Sequence, residues 1–303
     1  MVLGIDIGGT NIKFGIVDAN YSNVKSYSIP TPTDKGDVYL VEQIINKVHE
    51  IKKEYDFDRI GIGTPGRINS EEGIVIRASN LPYKNTPIVK MLENEFHLPV
   101  KLANDATCAI YGEFYAGFGQ KYDNFIMITL GTGVGGGIVL NNKIYMGKNG
   151  NAGEIGHIII KYDGLQCPCG QIGCYEQYAS VTALIRQTKT AIENNPDSLL
   201  AKSAGYKISG RTAFDAMKKG CPVAAKVVDD YINYIAIGIK SLVRIFQPDA
   251  IVLGGAISNE GDNLLLPLRE KVTMPVEILI SNLKNDAGVL GAASAASQIE
   301  GLK

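Results

Sequence analysis

Cys167-Pro-Cys169-Gly-Gln-Ile-Gly-Cys174 places three thiols within eight residues, and His157 precedes the first of them by ten. Three thiolates and an imidazole complete a tetrahedral Zn²⁺ donor set, and glycines at 170 and 173 let the loop double back so that the sulfurs converge. With all four positions taken by the protein, such a metal is expected to be structural. The spacing lacks the C-x-x-C of a thioredoxin-type pair, which argues against a cluster of redox thiols. Cys108 and Cys221 match no partner spacing and read as isolated core or surface thiols.

Two glycine turns offer a second chemistry. Asp6-Ile-Gly8-Gly9-Thr10 and Leu130-Gly131-Thr132-Gly133 each follow an apolar run. Where side chains are missing, backbone N–H groups can reach phosphate oxygens, and the threonine hydroxyls add donors. Asp6 would then help to hold the water shell of Mg²⁺. Read plainly, the same residues are two tight hairpins with Asp6 as a turn acid. A third turn, Gly254-Gly255-Ala-Ile-Ser258, ends another apolar run. Gly131 to Gly136 formally matches G-x-G-x-x-G, but a strand-like stretch follows where a dinucleotide-binding turn needs a helix. No G-x-x-x-x-G-K-[ST] occurs.

The carboxylates come next. Asn104-Asp105 ends a strand-like run, and Ala106 to Tyr115 reads as helix, which puts Asp105 at or near a helix N-terminus. A lone aspartate there is commonly an N-cap. The helix dipole would keep it ionised at neutral pH, as a general base requires. Glu154 lies three residues before His157 and Glu176 two after Cys174, so a metal knot would hold a carboxylate on each flank of one loop. Without that role both are ordinary solvated acids.

These residues need elements to carry them. Val2 to Ile7, then Ile12, Phe14 and Ile16, predict a hairpin, and Phe125 to Leu130, a turn from Gly131 to Gly137, and Ile138 to Leu140 repeat it. The repeat, about 125 residues on, suggests two related halves. Helical spacing covers Val38 to Tyr55, Thr86-Pro87 reads as an N-cap with proline at the first helical position, and Pro222 opens a helix that runs to Phe246. Ala250 to Leu253 predicts a buried strand, and a last Ala- and Gly-rich helix begins near Asp286. Strands alternating with helices define an α/β chain. We place the domains at residues 1–118 and 119–289, with a helix at about 290–303 packing back on the first.

The 303 residues carry 30 Lys and Arg against 31 Asp and Glu, a net charge of −1 that favours a small-molecule partner over nucleic acid or an anionic membrane. Met1 to Gly9 has no basic segment before its apolar run, and the longest uncharged stretch, Asn124 to Asn142, contains five glycines. A cytoplasmic protein with no membrane segment is expected. Glycine is in excess at 34 residues, about 11% of the chain against an average of about 7%.

Gly4-Ile-Asp6-Ile-Gly-Gly-Thr10-Asn-Ile-Lys13, Leu130-Gly-Thr-Gly-Val-Gly-Gly-Gly137, Leu253-Gly-Gly-Ala and the C-x-C-G-x-x-G-C-x-E loop together resemble the ROK family of bacterial sugar kinases and repressors, over essentially the whole chain. The resemblance implies an actin-like ATPase (ribonuclease H-like) fold: two α/β domains around a cleft, with ATP between them. It places Asp6, Gly8, Gly9, Thr10, Asn11, Lys13, Thr132 and Gly133 at the phosphates, and Gly254 and Gly255 near the adenosine. It makes His157 the fourth metal ligand beside Cys167, Cys169 and Cys174. Asp105 becomes the catalytic base. Gly66, Arg67, Ser79, Asn80, Asn104, Glu154, His157 and Glu176 fall where relatives touch the sugar.

The implied reaction is ATP-dependent phosphorylation of a hexose at its 6-hydroxyl, as in a glucokinase, with Mg²⁺ on the nucleotide and structural Zn²⁺. An N-acetylmannosamine kinase is the nearest rival, since Gly66-Arg67-Ile-Asn is similar to that subgroup; a fructokinase follows, then a sugar-responsive repressor. A homodimer is also implied.

Overall fold

The computed structural model describes residues 1–78, 80–148, 152–205, 207–283 and 286–299. The chain divides into two compact units, one from Met1–Lys121 with Asn282–Lys303 and one from Tyr122–Ser281.

The first unit begins with β1 (Val2–Ile7), β2 (Asn11–Val17) and β3 (Asn23–Pro30), then α1 (Asp37–Lys52) and β4 (Arg59–Thr64). A small hairpin of β5 (Arg67–Asn69) and β6 (Ile74–Arg77) leads to α2 (Ile88–Phe96), β7 (Val100–Asn104) and α3 (Asp105–Ala116). The sheet order is β3-β2-β1-β4-β7, antiparallel across the first three strands and parallel from β1 to β4 to β7. Leu3, Ile5 and Ile7 alternate onto one face, where they meet Leu40, Val41, Ile44, Val48 and Ile51 of α1 in a fully buried core.

The second unit holds β8 (Phe125–Leu130), β9 (Val134–Leu140) and β10 (Lys143–Ile144). After the cysteine loop come α4 (Glu176–Ala179), α5 (Val181–Asn194), α6 (Leu199–Ser203), α7 (Thr212–Lys218) and α8 (Pro222–Phe246), then β11 (Ala250–Gly254), α9 (Asp262–Lys271) and β12 (Glu277–Ile280). Its sheet order is β10-β9-β8-β11-β12, again three antiparallel strands followed by two parallel ones. The two halves therefore repeat one topology. Tyr231, Ile235 and Ile239 of α8 anchor this core.

The last helix, α10 (Ala287–Ala296), returns to the first unit. Gly15, Gly4 and Gly61 stand side by side in register on β2, β1 and β4. A Cβ on Gly4 or Gly61 would overlap the backbone carbonyls of Val289 and Ala292, so the helix backbone lies directly on the sheet. Gly291 repeats the device against the carbonyl of Cys108 on α3.

Two expectations need correction. The second glycine turn spans only residues 131–133, because β9 resumes at Val134 and Gly135, Gly136 and Gly137 are ladder residues paired with Thr129, Ile128 and Met127. Thr86 does not cap α2. Its backbone pairs with Val75, its hydroxyl donates to Asp37 Oδ2 at 2.6 Å, and the residue before the helix is Pro87. Among the described residues, no helix is long and apolar enough to cross a membrane.

Candidate active site

In the first unit the turn between β1 and β2 is closed by Gly8 N–H donating to Asn11 O at 3.0 Å. Thr31, which the sequence did not single out, braces it twice: its hydroxyl donates to Gly8 O at 2.6 Å and its N–H to Thr10 O at 2.9 Å. Asp6 lies opposite Lys13 in the ladder and shares a sheet face with Gly4. Its carboxylate abuts Gly288 in the first turn of α10, so closely that a Cβ there would meet it. Asn80 stands beside Gly9, while Ser79 lies outside the described residues.

The strand β7 delivers Asn104 and Asp105 to the start of α3. The cap is Asn104, whose Oδ1 accepts from Thr107 N–H at 2.6 Å, which leaves its NH₂ as the donor end. Asp105 is therefore relieved of the N-cap role, and its Oδ1 accepts from Ala106 N–H at 3.0 Å. Burial raises its pKa above the ordinary carboxylate value, against the backbone hydrogen bonds that lower it, so the helix terminus does not dominate. Asp6 is raised as well, first by burial, with Lys13 opposing and the charge of Asp105 adding to the rise. The two carboxylates are thus electrostatic neighbours. Buried Cys108, one turn along α3, feels both. Gly66 and Arg67 open the β5–β6 hairpin; a Cβ on Gly66 would overlap Arg77 O, and Arg67 is exposed.

In the second unit, the ligand atoms of His157, Cys167, Cys169 and Cys174 all lie within 4.8 Å of one another. Cys167 Sγ is 3.7 Å from His157 Nδ1 and Cys169 Sγ is 3.6 Å from Cys174 Sγ. A tetrahedron with Zn–S bonds of about 2.3 Å has edges of about 3.8 Å, so the donor set and its spacing fit Zn²⁺. Gly173 sits at φ +82°, and a Cβ there would collide with Lys161 O, which is why the loop closes only with glycine. His157 turns Nδ1 to the thiols and Nε2 to Glu154 Oε2, 3.9 Å away. At that distance Glu154 and His157 are charge neighbours and not hydrogen-bonded.

Glu176 opens α4 and reaches back to the second glycine turn, where its Oε2 accepts from Val134 N–H at 3.0 Å and fills the space above Gly133. Two further bonds hold that turn: Val181 N–H to Gly131 O at 2.8 Å and Thr182 Oγ1 to Thr132 O at 2.7 Å. Gly255, at φ +84°, packs on Leu130, so the third glycine turn adjoins the second. The Thr182 and Thr31 contacts carry no local sequence signal, since each is made across a long stretch of chain.

The ROK family model matches residues 2–299, and the chain belongs to that family. It is 36% identical to the glucokinase of Streptomyces coelicolor over 98% of both chains. Its structure is similar to that of a ROK family glucokinase from Streptomyces griseus in complex with glucose and AMPPNP, with a TM-score of 0.81, 35% identity, and coverage of 98% of this chain and 99% of that one. It is also similar to a ROK hexokinase from Thermus thermophilus, with a TM-score of 0.84, 30% identity, and coverage of 98% and 97%. The α/β units have the actin-like ATPase fold.

Proposed function

We propose that this chain is an ATP-dependent hexose kinase that transfers the γ-phosphoryl group of ATP to the 6-hydroxyl of glucose. The observation that carries the reading is the full-length likeness to glucokinases, one of them seen with glucose and AMPPNP.

Asp105 takes the proton of the 6-hydroxyl as its oxygen attacks the γ-phosphorus and the bond to the β–γ bridging oxygen breaks, releasing ADP. The transition state is loose, so holding the hydroxyl in line matters at least as much as basicity. Asn104, with Oδ1 committed to the cap, offers its NH₂ to a sugar oxygen. Glu154, His157 and Glu176 from the metal loop, with Gly66, Arg67, Ser79 and Asn80, recognise the remaining hydroxyls. Asp6, Gly8, Gly9, Thr10, Asn11, Lys13, Thr132 and Gly133 bind the phosphates, and Gly254 and Gly255 the adenosine. A Mg²⁺ held through water by Asp6 would supply neutralising charge to the phosphates, and its presence would also offset the burial that raises the Asp6 pKa. Cys167, Cys169, Cys174 and His157 would hold Zn²⁺, which would serve there to order the loop. The homodimer of the resemblance is part of the same reading.

ADP release with Mg²⁺, ATP and a panel of glucose, mannose, fructose, N-acetylglucosamine and N-acetylmannosamine tests this. The highest kcat/KM is expected on glucose. A preference for N-acetylmannosamine would replace the sugar and keep the reaction; no ADP release with any hexose would remove the kinase reading.

A further inference from the structure

We infer that the Cys₃His centre holds the second glycine turn in its phosphate-facing shape, so that metal and nucleotide binding are coupled. This rests on the reading above that Thr132 and Gly133 face the phosphates of ATP.

The turn has little to hold itself: its internal bond is Gly131 N–H to Gly133 O at 3.0 Å. Its support comes from two chain segments, and each carries part of the metal donor set. On the His157 side, Gly156 lies against Val134 O, where a Cβ would not fit, and Ile155 packs on Gly136. On the Cys174 side, Glu176 Oε2 takes Val134 N–H, Val181 N–H takes Gly131 O, and Thr182 Oγ1 takes Thr132 O. Between Cys174 and Glu176, Tyr175 is fully buried, its hydroxyl donating to Ile235 O at 3.0 Å and its ring over Gly238 of α8. That residue ties the second segment to the core. The two segments meet through Tyr175 N–H to Ile158 O at 2.8 Å and Ile160 N–H to Gly173 O at 2.9 Å, and through the four donors themselves.

A metal bridging His157 to the three sulfurs therefore clamps Val134 from both sides. Without it, the His157 segment and the Cys174 segment are held by exchangeable backbone bonds and by the packing of Ile155 and Tyr175 in the core. The turn would then sample shapes that no longer aim its N–H groups at phosphate, and nucleotide binding would have to restore the order. Because coupling between two sites is reciprocal, bound nucleotide must also tighten the metal by the same factor.

Thr182 is exposed and belongs to neither donor set, so Thr182→Val removes one clasp without touching metal or ligand. Glu176→Ala removes the second, and Glu176→Gln restores an acceptor for Val134 N–H. Two quantities are measured on the zinc-loaded protein without sugar: the affinity for Mg·AMP-PNP by calorimetry, and the affinity for zinc against a chromogenic chelator with and without saturating Mg·AMP-PNP. We expect Mg·AMP-PNP to tighten zinc binding at least about fivefold. Thr182→Val should shrink that factor and weaken Mg·AMP-PNP binding while keeping one zinc per chain. Glu176→Ala should do the same more strongly, with Gln recovering most of the nucleotide affinity. Zinc affinity indifferent to Mg·AMP-PNP, in a wild-type protein that binds the nucleotide, overturns the inference and leaves the kinase reading intact. Failure of the zinc-loaded wild type to bind Mg·AMP-PNP at all overturns both.

Discussion

Asp105 shows how a residue and its neighbour divide two jobs. The pair Asn104-Asp105 was legible as chemistry at a helix start, but its division of labour was not, because which of two adjacent side chains turns back to cap depends on the backbone angle at the end of β7. Asn104 adopts φ −78° and ψ 168°, the extended cap geometry, and so takes the capping bond. Asp105 is left solvent-accessible at the start of α3, with a pKa that desolvation by the surrounding protein raises. Such a group binds more protons folded than unfolded between its ordinary and its raised pKa, so its contribution to stability falls as pH rises through that window. Asp105→Asn is accordingly expected to lower kcat at least about 10²- to 10⁴-fold with sugar and nucleotide binding retained. The same variant should melt higher than the wild type at pH 7.5, with the gap closing toward pH 4 in calorimetry. Normal turnover, or a melting temperature below the wild type at every pH, would refute the assignment. The convergence of Cys167, Cys169 and Cys174 was legible, since three thiols in eight residues constrain one another locally. The bonds from Thr31 and Thr182 were not, because they join segments distant in sequence.

Among the elements, hairpins and long helices followed from periodicity, and α8 begins at Pro222 and ends at Phe246 as its pattern marks. Thr86-Pro87 failed as a helix start because Thr86 is recruited by Asp37 of α1 and by the backbone of Val75. The glycines divide differently from their appearance in the sequence. Part of the excess lies in turns, but Gly4, Gly15, Gly61, Gly112 and Gly291 serve the seat of α10, where helix and sheet backbones come into direct contact. No local pattern announces this, since each of those glycines sits inside a strand or helix. Gly61→Ala forces its new methyl onto Ala292 O and is expected to cost at least about 3 kcal/mol in urea unfolding, the upper end for overpacking. Gly131→Ala meets open space and is the control that should unfold at an unchanged midpoint.

At the scale of the whole molecule, each unit has its own core, and the same strand order serves both. The repeat of a glycine hairpin was enough to suggest two related halves; the parallel strands completing each sheet were not legible as partners, because pairing across a helix leaves no periodic trace. The first unit is completed by its own distant C-terminal segment, since Val289, Leu290 and Ala293 of α10 bury Val17 and cover the glycine row. Deleting residues 282–303 is therefore expected to strip hydrogen-exchange protection from β1, β2 and β4 while β8, β11 and α8 keep theirs. Equal loss in both units, or none in the first, would contradict this account.

The seat of α10 also sets an order of events during translation. The ribosome makes the strands of the first unit before the helix that covers them, and the entire second unit is synthesised between the two. While synthesis continues, the sheet of the first unit waits with a bare glycine furrow and the Asp6 carboxylate not yet enclosed. A chain interrupted before α10 would keep that furrow, and the backbone along it, open to solvent.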